Sequence, residues 1–257
     1  MKRFLALVTA AMLLPAHVGA NSEEDTESAS SNSEADESPM ELEPFRAEYR
    51  INVNRIPIGI GAELQLEPLE EDDRYHIEFR IDSWLMNNTE SSTFAWRDCE
   101  PRTERYTHEF RGFGRRRNYE MDFDWGSPVE VTTISEERGE DTEEKTQEVP
   151  EDILDELTML LMSRCLLDEG REEYVIDTIY GTRVREHEVA IVDEETLNTP
   201  MGEMETLVIK KQRDADSDRH TRFWVAPELD YMLIRARHQE SPRLYGELRL
   251  RSYSGPL

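Results

Sequence analysis

The chain has 257 residues, 57 of them acidic and 30 basic, for a formal charge of −27. A field this negative opposes approach to nucleic acid and to anionic surfaces, so a nucleic-acid partner is disfavoured. Lys2, Lys145, Lys210 and Lys211 are the only lysines against 26 arginines; this balance fits adaptation to high salt, where screening relieves self-repulsion, and equally an arginine-rich codon usage.

Met1-Lys2-Arg3 precedes an apolar run from Phe4 to Leu14, with Val18 and Ala20 three and one residues before a cut. This is the pattern of a secretory signal peptide over residues 1–20. The run is too short to span a bilayer, which takes about 18 apolar residues, and no second run follows. The expectation is a soluble, periplasmic protein with no transmembrane segment in its mature chain, and Asn21 stands where a lipoprotein would carry its acylated cysteine. Residues 21–42 hold eight acidic side chains, no basic ones and many serines. Such a segment cannot bury enough surface to offset its ordering entropy and is expected to be a disordered acidic tether, either a solvated linker or a docking tail for a basic partner. Residues 43–257 carry −21 and are long enough for a single β-rich domain with a sizeable core.

Period-two alternation then dominates. Phe45, Ala47, Tyr49, Ile51 and Val53 alternate with polar residues, and after Asn54-Arg55 the phase resumes at Ile56, Ile58, Ile60, Ala62, Leu64 and Leu66, which predicts a hairpin. Gly59 and Gly61 predict strong coiling of its second strand. Further strands are expected at Tyr75–Ile81, around Phe94 and Trp96, at Tyr106–Phe110 and at Tyr119–Trp125, with a turn at Gly126-Ser127-Pro128 leading into Val129 and Val131. Residues 136–148 are charged and nearly free of apolar side chains, which reads as a surface loop. Pro150, followed by Glu151, Asp152, Asp155 and Glu156, marks a helix start, the stripe Ile153, Leu154, Leu157, Leu160, Leu161 and Cys165 predicts a helix over about 151–167, and Gly170 a stop. Six more strands follow, at 174–180, 184–192, 205–211, 221–225, 231–237 and 244–253. The expected architecture is mainly β: a strongly curved antiparallel sheet, half-open and barrel-like, wrapped around one main helix.

Motifs for chemistry are sparse. Arg111-Gly112-Phe113-Gly114-Arg115-Arg116-Arg117 matches the start of an RNA-recognition strand, but Arg115 and Arg117 stand where aromatics belong, so it reads as an arginine-rich edge strand. Gly59-Ile60-Gly61 lacks the third glycine and following helix of a dinucleotide loop. His76, His108, His187, His220 and His238 show no metal-ligand spacing, no G-x-S-x-G elbow occurs, and Cys165 lies within an apolar stripe. The sequence therefore points to no enzyme, cofactor or metal. Cys99 and Cys165 fit either a disulfide, which an exported protein meets conditions to form, or two small buried hydrophobes. Phe94, Trp96, Met121, Phe123, Trp125, Met159, Met162 and Trp224 are candidates to line an apolar cavity, and they would serve equally to fill it.

The segments "RIPIGIGAEL", "NYEMDFDW", "VPEDILDELTMLLMSRCLL", "TPMGEMETLVIKK" and "TRFWVAPELDYMLIRAR" follow in an order that resembles the bacterial family called domain of unknown function 3108. The resemblance spans about Pro44 to Tyr253. It implies an exported β-rich domain and brings no catalytic residues. The closing ribbon, Glu205 to Arg237, also resembles at fold level the LolA and LolB lipoprotein carriers, with Trp224 and Leu233 placed to pack or line its inside. Three functions are carried forward: binding or carrying a lipid or lipoprotein acyl chain in envelope maintenance, docking another envelope protein through a solid-cored domain, and, last, hydrolysis at a site assembled from scattered residues.

Overall fold

The computed structural model describes residues 42–71, 73–137, 141–212 and 220–255. Residues 1–41 lie outside this range, and with them the signal peptide and all of the expected tether except Leu42. Leu42 is buried in the main core.

Fourteen strands form one antiparallel sheet: β1 Phe45–Val53, β2 Ile56–Pro68, β3 Arg74–Asp82, β4 Met86–Arg97, β5 Glu100–Gly112, β6 Arg115–Asp124, β7 Glu130–Glu137, β8 Glu143–Glu148, β9 Glu173–Tyr180, β10 Arg183–Thr199, β11 Gly202–Gln212, β12 His220–Ala226, β13 Met232–Ser241 and β14 Leu244–Ser254. A meander runs from β1 out to β8; the chain then crosses to the opposite edge through the helix α1, Thr158–Asp168, and a second meander returns from β9 to β14, which pairs with β1. The sheet is not closed, and β8 and β9 are its edges. The inward phase of the first three strands is apolar, as their alternation requires: Ala47, Tyr49 and Ile51 of β1, Leu64 and Leu66 of β2, and Ile77 and Ile81 of β3 are all buried.

The first hairpin turns on Asn54 and Arg55, both at positive φ, the two-residue turn whose twist matches its strands. In β2 the register shifts beside the glycines, and a Cβ on Gly61 would lie 3.4 Å from the Tyr49 carbonyl. Three expectations are corrected. Residues 143–148 form the edge strand β8, not a loop; it pairs with β7 and needs no inward apolar residue, and its charges suit an edge that must not pair with another chain. The arginine-rich segment is a hairpin turn, with Phe113 and Gly114 at positive φ, between two interior strands. Finally, α1 starts about seven residues later than predicted. Leu154 leaves the helical path to bridge β9 in parallel, its N–H donating to Asp177 O at 3.0 Å while Ile179 N donates to its carbonyl at 2.8 Å. Leu154, Leu157 and Leu161 are nevertheless all buried. The stop is at Gly170, φ +77, where Gly170 N and Arg171 N donate to Leu167 O and Leu166 O. Cys99, in the β4–β5 turn, and Cys165, on α1, form a disulfide with Cα atoms 6.0 Å apart.

Candidate functional site

Two features occupy the space between α1 and the sheet. The first is an apolar crevice. Met159, Leu160, Leu161 and Leu167 of α1 face Val189 of β10, Ile209 of β11, Phe223 and Val225 of β12, and Leu233 of β13. Alternation delivers these strand residues: Ile209 is the cross-strand partner of Phe223, and Val225 of Leu233. Two cations border it. Lys211 lies 3.7 Å from Glu156 Oε2, and Arg164 donates from Nε to Asp230 O at 2.5 Å. The free space between the walls is about 60 Å³. That admits a few waters but is well below the roughly 300 Å³ at which ordinary small-molecule pockets begin.

The second feature is a buried polar network, which sequence reasoning missed. Asp155, fully buried, accepts four hydrogen bonds: Ser92 Oγ at 2.7 Å, Thr103 Oγ1 at 2.5 Å, Leu157 N at 2.7 Å and Thr158 N at 2.9 Å. It thereby turns the chain into α1 and ties that turn to β4 and β5. Its neighbour Glu156 is also buried, beside Lys211, Arg185 at 4.0 Å and Thr178; burial outweighs these cations and raises its carboxyl. Deeper in, Asn88 Nδ2 donates to Glu90 Oε1 at 3.1 Å, and Tyr106 OH to Oε2 at 3.1 Å. His108 Nε2 faces Asn88 Oδ1 at 2.8 Å and Nδ1 faces Tyr180 OH at 2.5 Å. An amide oxygen only accepts, so the network assigns the proton to Nε2 and makes Nδ1 the acceptor of the tyrosine proton. Burial raises the Glu90 carboxyl and, with the charge of Arg117, lowers His108 to about 3. The imidazole is neutral, buried and engaged at both nitrogens, which suits a structural relay between β4, β5 and β9. A signal existed: extending the inward phase of Phe94 and Trp96 backward along β4 gives Ser92, Glu90 and Asn88.

The pKa of His108 has a testable sign. Because its folded value is below the ordinary 6.5, its stabilisation is complete above pH 6.5 and is lost as pH falls from there toward about 3. Glu90 and Glu156, being raised, act oppositely and lose stabilisation as pH rises above the ordinary carboxyl range. In urea unfolding between pH 6.5 and 4.5, His108→Gln should therefore lose less stability than the wild type, by up to a few kcal/mol. Parallel pH profiles of the two proteins would show that His108 is not held neutral.

Of the predicted lining residues, the structure brings only Met159 to the crevice wall. Phe94, Trp96 and Met121 are packed in the main core, and Phe123 and Trp125 are half-buried at its margin, where Trp125 Nε1 donates to Thr103 O at 2.7 Å. Met162 packs against the small cluster of Leu154, Met159, Leu166 and Ile176. Trp224 is corrected outright: its neighbours Phe223 and Val225 face inward, so it points to the outer face. There Arg235 lies 4.3 Å over its ring and Glu195 accepts from Nε1 at 2.5 Å. Among the described residues, no three His, Cys, Asp or Glu side chains gather as a metal ion would require, and no helix is long and apolar enough to cross a membrane.

A curled, unclosed antiparallel sheet around a helix defines a barrel-like β protein, and solved structures share it. A crystal structure titled as a beta-barrel-like protein of domain of unknown function DUF1849 from Brucella abortus superposes with a TM-score of 0.55 over 84% of this chain and 99% of that one, at 9% identity, a likeness of fold. The chain belongs to the family described as protein of unknown function, DUF3108, whose model matches residues 48–250. No curated protein matches the chain.

Proposed function

We propose that this protein is a binding protein, not an enzyme, and that it takes the apolar chain of an exported amphiphile, a lipid or a lipoprotein acyl group, between α1 and the inner face of β10–β13. One observation carries the reading: the wall there is apolar on both sides, and two cations, Lys211 and Arg164, border it and could meet an anionic head. The disulfide accords with an oxidising, periplasmic setting. The LolA/LolB-type carrier analogy adds only that such a sheet can shelter chains. Since the free space is small, entry requires the half-buried Leu160 and Tyr231 to swing outward, and each methylene then buried contributes about 0.8 kcal/mol, so affinity should rise with chain length.

A second reading, a solid-cored module that docks another envelope protein, is favoured by the same small volume. Titration with a fluorescent fatty acid separates the two. The carrier reading expects micromolar uptake, reduced at least about tenfold by Leu160→Trp, which fills the crevice from its half-exposed side. Delipidated, folded wild-type protein that takes up no fatty acid at micromolar concentration would defeat it and favour docking.

A further inference from the structure

The outer face carries a cluster that the crevice does not use. Register sets Arg50 of β1 opposite Arg249 of β14, and Arg249 opposite Arg235 of β13, three arginines in one cross-strand row. Like charges directly opposite one another destabilise a sheet, so the row calls for an anion. The chain supplies one. Glu247, buried, accepts from Arg235 Nε at 2.7 Å and Arg237 Nε at 3.0 Å and also pairs with Arg249. A single carboxylate against three guanidinium groups leaves a surplus, and Arg50 and Arg251, both exposed, form no ion pair among the described residues. A local surplus of arginine thus stands on a chain of net charge −27.

The backbone shapes this spot into a cleft. Trp224 pairs with Arg235 but Val225 with Leu233, which leaves Ile234 as an extra residue; Glu48 pairs with Ser252 but Tyr49 with Leu250, which leaves Arg251 extra. Both bulges kink the sheet and re-aim side chains at the same place. The tip of the β10–β11 hairpin, where Thr199 Oγ1 accepts from Met201 N and donates to Gly202 O, covers one side. The result is a cavity of about 210 Å³ lined by Arg50, Arg235, Arg249 and Arg251, with Leu197 and Ile234 among its apolar wall.

We propose that this cleft binds a phosphate-bearing ligand, its oxyanion held by Arg50, Arg249 and Arg251 beside Arg235 and its organic part resting on Leu197 and Ile234. Guanidinium forks match the oxygens of phosphate, and several convergent forks suit a doubly charged tetrahedral group better than a carboxylate, which one fork satisfies. The ligand chemistry, a phosphate monoester, is shared by soluble phosphate esters and by the headgroup of phosphatidic acid.

The test is calorimetric titration of the full exported chain at low salt with inorganic phosphate and with glycerol 3-phosphate, together with co-sedimentation on phosphatidic acid–phosphatidylcholine vesicles. Saturable binding is expected, weakened at least about tenfold in the Arg50→Gln/Arg251→Gln double variant, because two charge-assisted forks are lost. Its melting temperature and fatty-acid uptake should stay at wild-type values, since neither arginine holds an ion pair or touches the crevice. Binding of the soluble esters alone identifies a soluble ligand, and binding of the vesicles alone a headgroup. No saturable binding in any arm, or binding that the double variant retains in full, overturns the proposal and leaves the crevice reading untouched.

Discussion

Asp155→Ala is expected to be among the most damaging single substitutions in this domain, costing about 4 kcal/mol or more in urea unfolding. The carboxylate is fully buried and is the acceptor for two hydroxyls and two backbone N–H groups. Removing it leaves those donors in a site closed to water, at about 1–3 kcal/mol for each that finds no substitute. Asp155→Asn should be much milder. Its remaining oxygen can keep the two N–H groups that now reach Oδ1, and the hydroxyls of Ser92 and Thr103 can rotate to accept from the new amide. A loss below about 1 kcal/mol in the alanine variant would show that the turn into α1 is held by the flanking leucines alone.

Breaking the disulfide should cost a similar amount by a different route. Cys99 and Cys165 are 66 residues apart in sequence, so their link removes closure entropy from the unfolded chain. For a loop of this size the chain-entropy model puts the effect at about 4 kcal/mol. The Cys99→Ser/Cys165→Ala variant should melt roughly 10 °C below the oxidised protein, and reductant should lower the wild type toward it while leaving the variant unmoved. Because α1 forms one wall of the crevice and this link pins it to the β4–β5 turn, fatty-acid uptake should change with redox state. Equal melting temperatures of the oxidised protein and the double variant would show that packing alone places α1.

Much of the fold was legible because alternation is a local property. Each strand with one dry face shows period two, so the first hairpin, most of the meander and the ribbon from Glu205 to Arg237 could be read directly, and the apolar stripe with its Gly170 stop announced the helix. Edge strand β8 was invisible for the same reason: EEKTQE buries almost nothing, and only pairing to β7 makes it a strand. The start of α1 was misread because proline and early carboxylates mark a helix entrance, whereas Asp155 and Glu156 are drawn inward by partners on strands 22 to 63 residues away in sequence. An acidic residue in a chain with 57 of them carries no sign of being buried.

The sequence by itself determined the compositional class, the strand phases, the helix and the family resemblance, since these depend on neighbours along the chain. Only the tertiary structure decided that Cys99 reaches Cys165, that Trp224 faces outward beneath Arg235, that Phe94, Trp96 and Met121 fill a core while Leu160 and Val189 border a crevice, and that Arg50, Arg235, Arg249 and Arg251 meet at one cleft. Each of these turns on register between distant strands or on where the sheet bends, and a shift of one residue would send every such side chain to the other face.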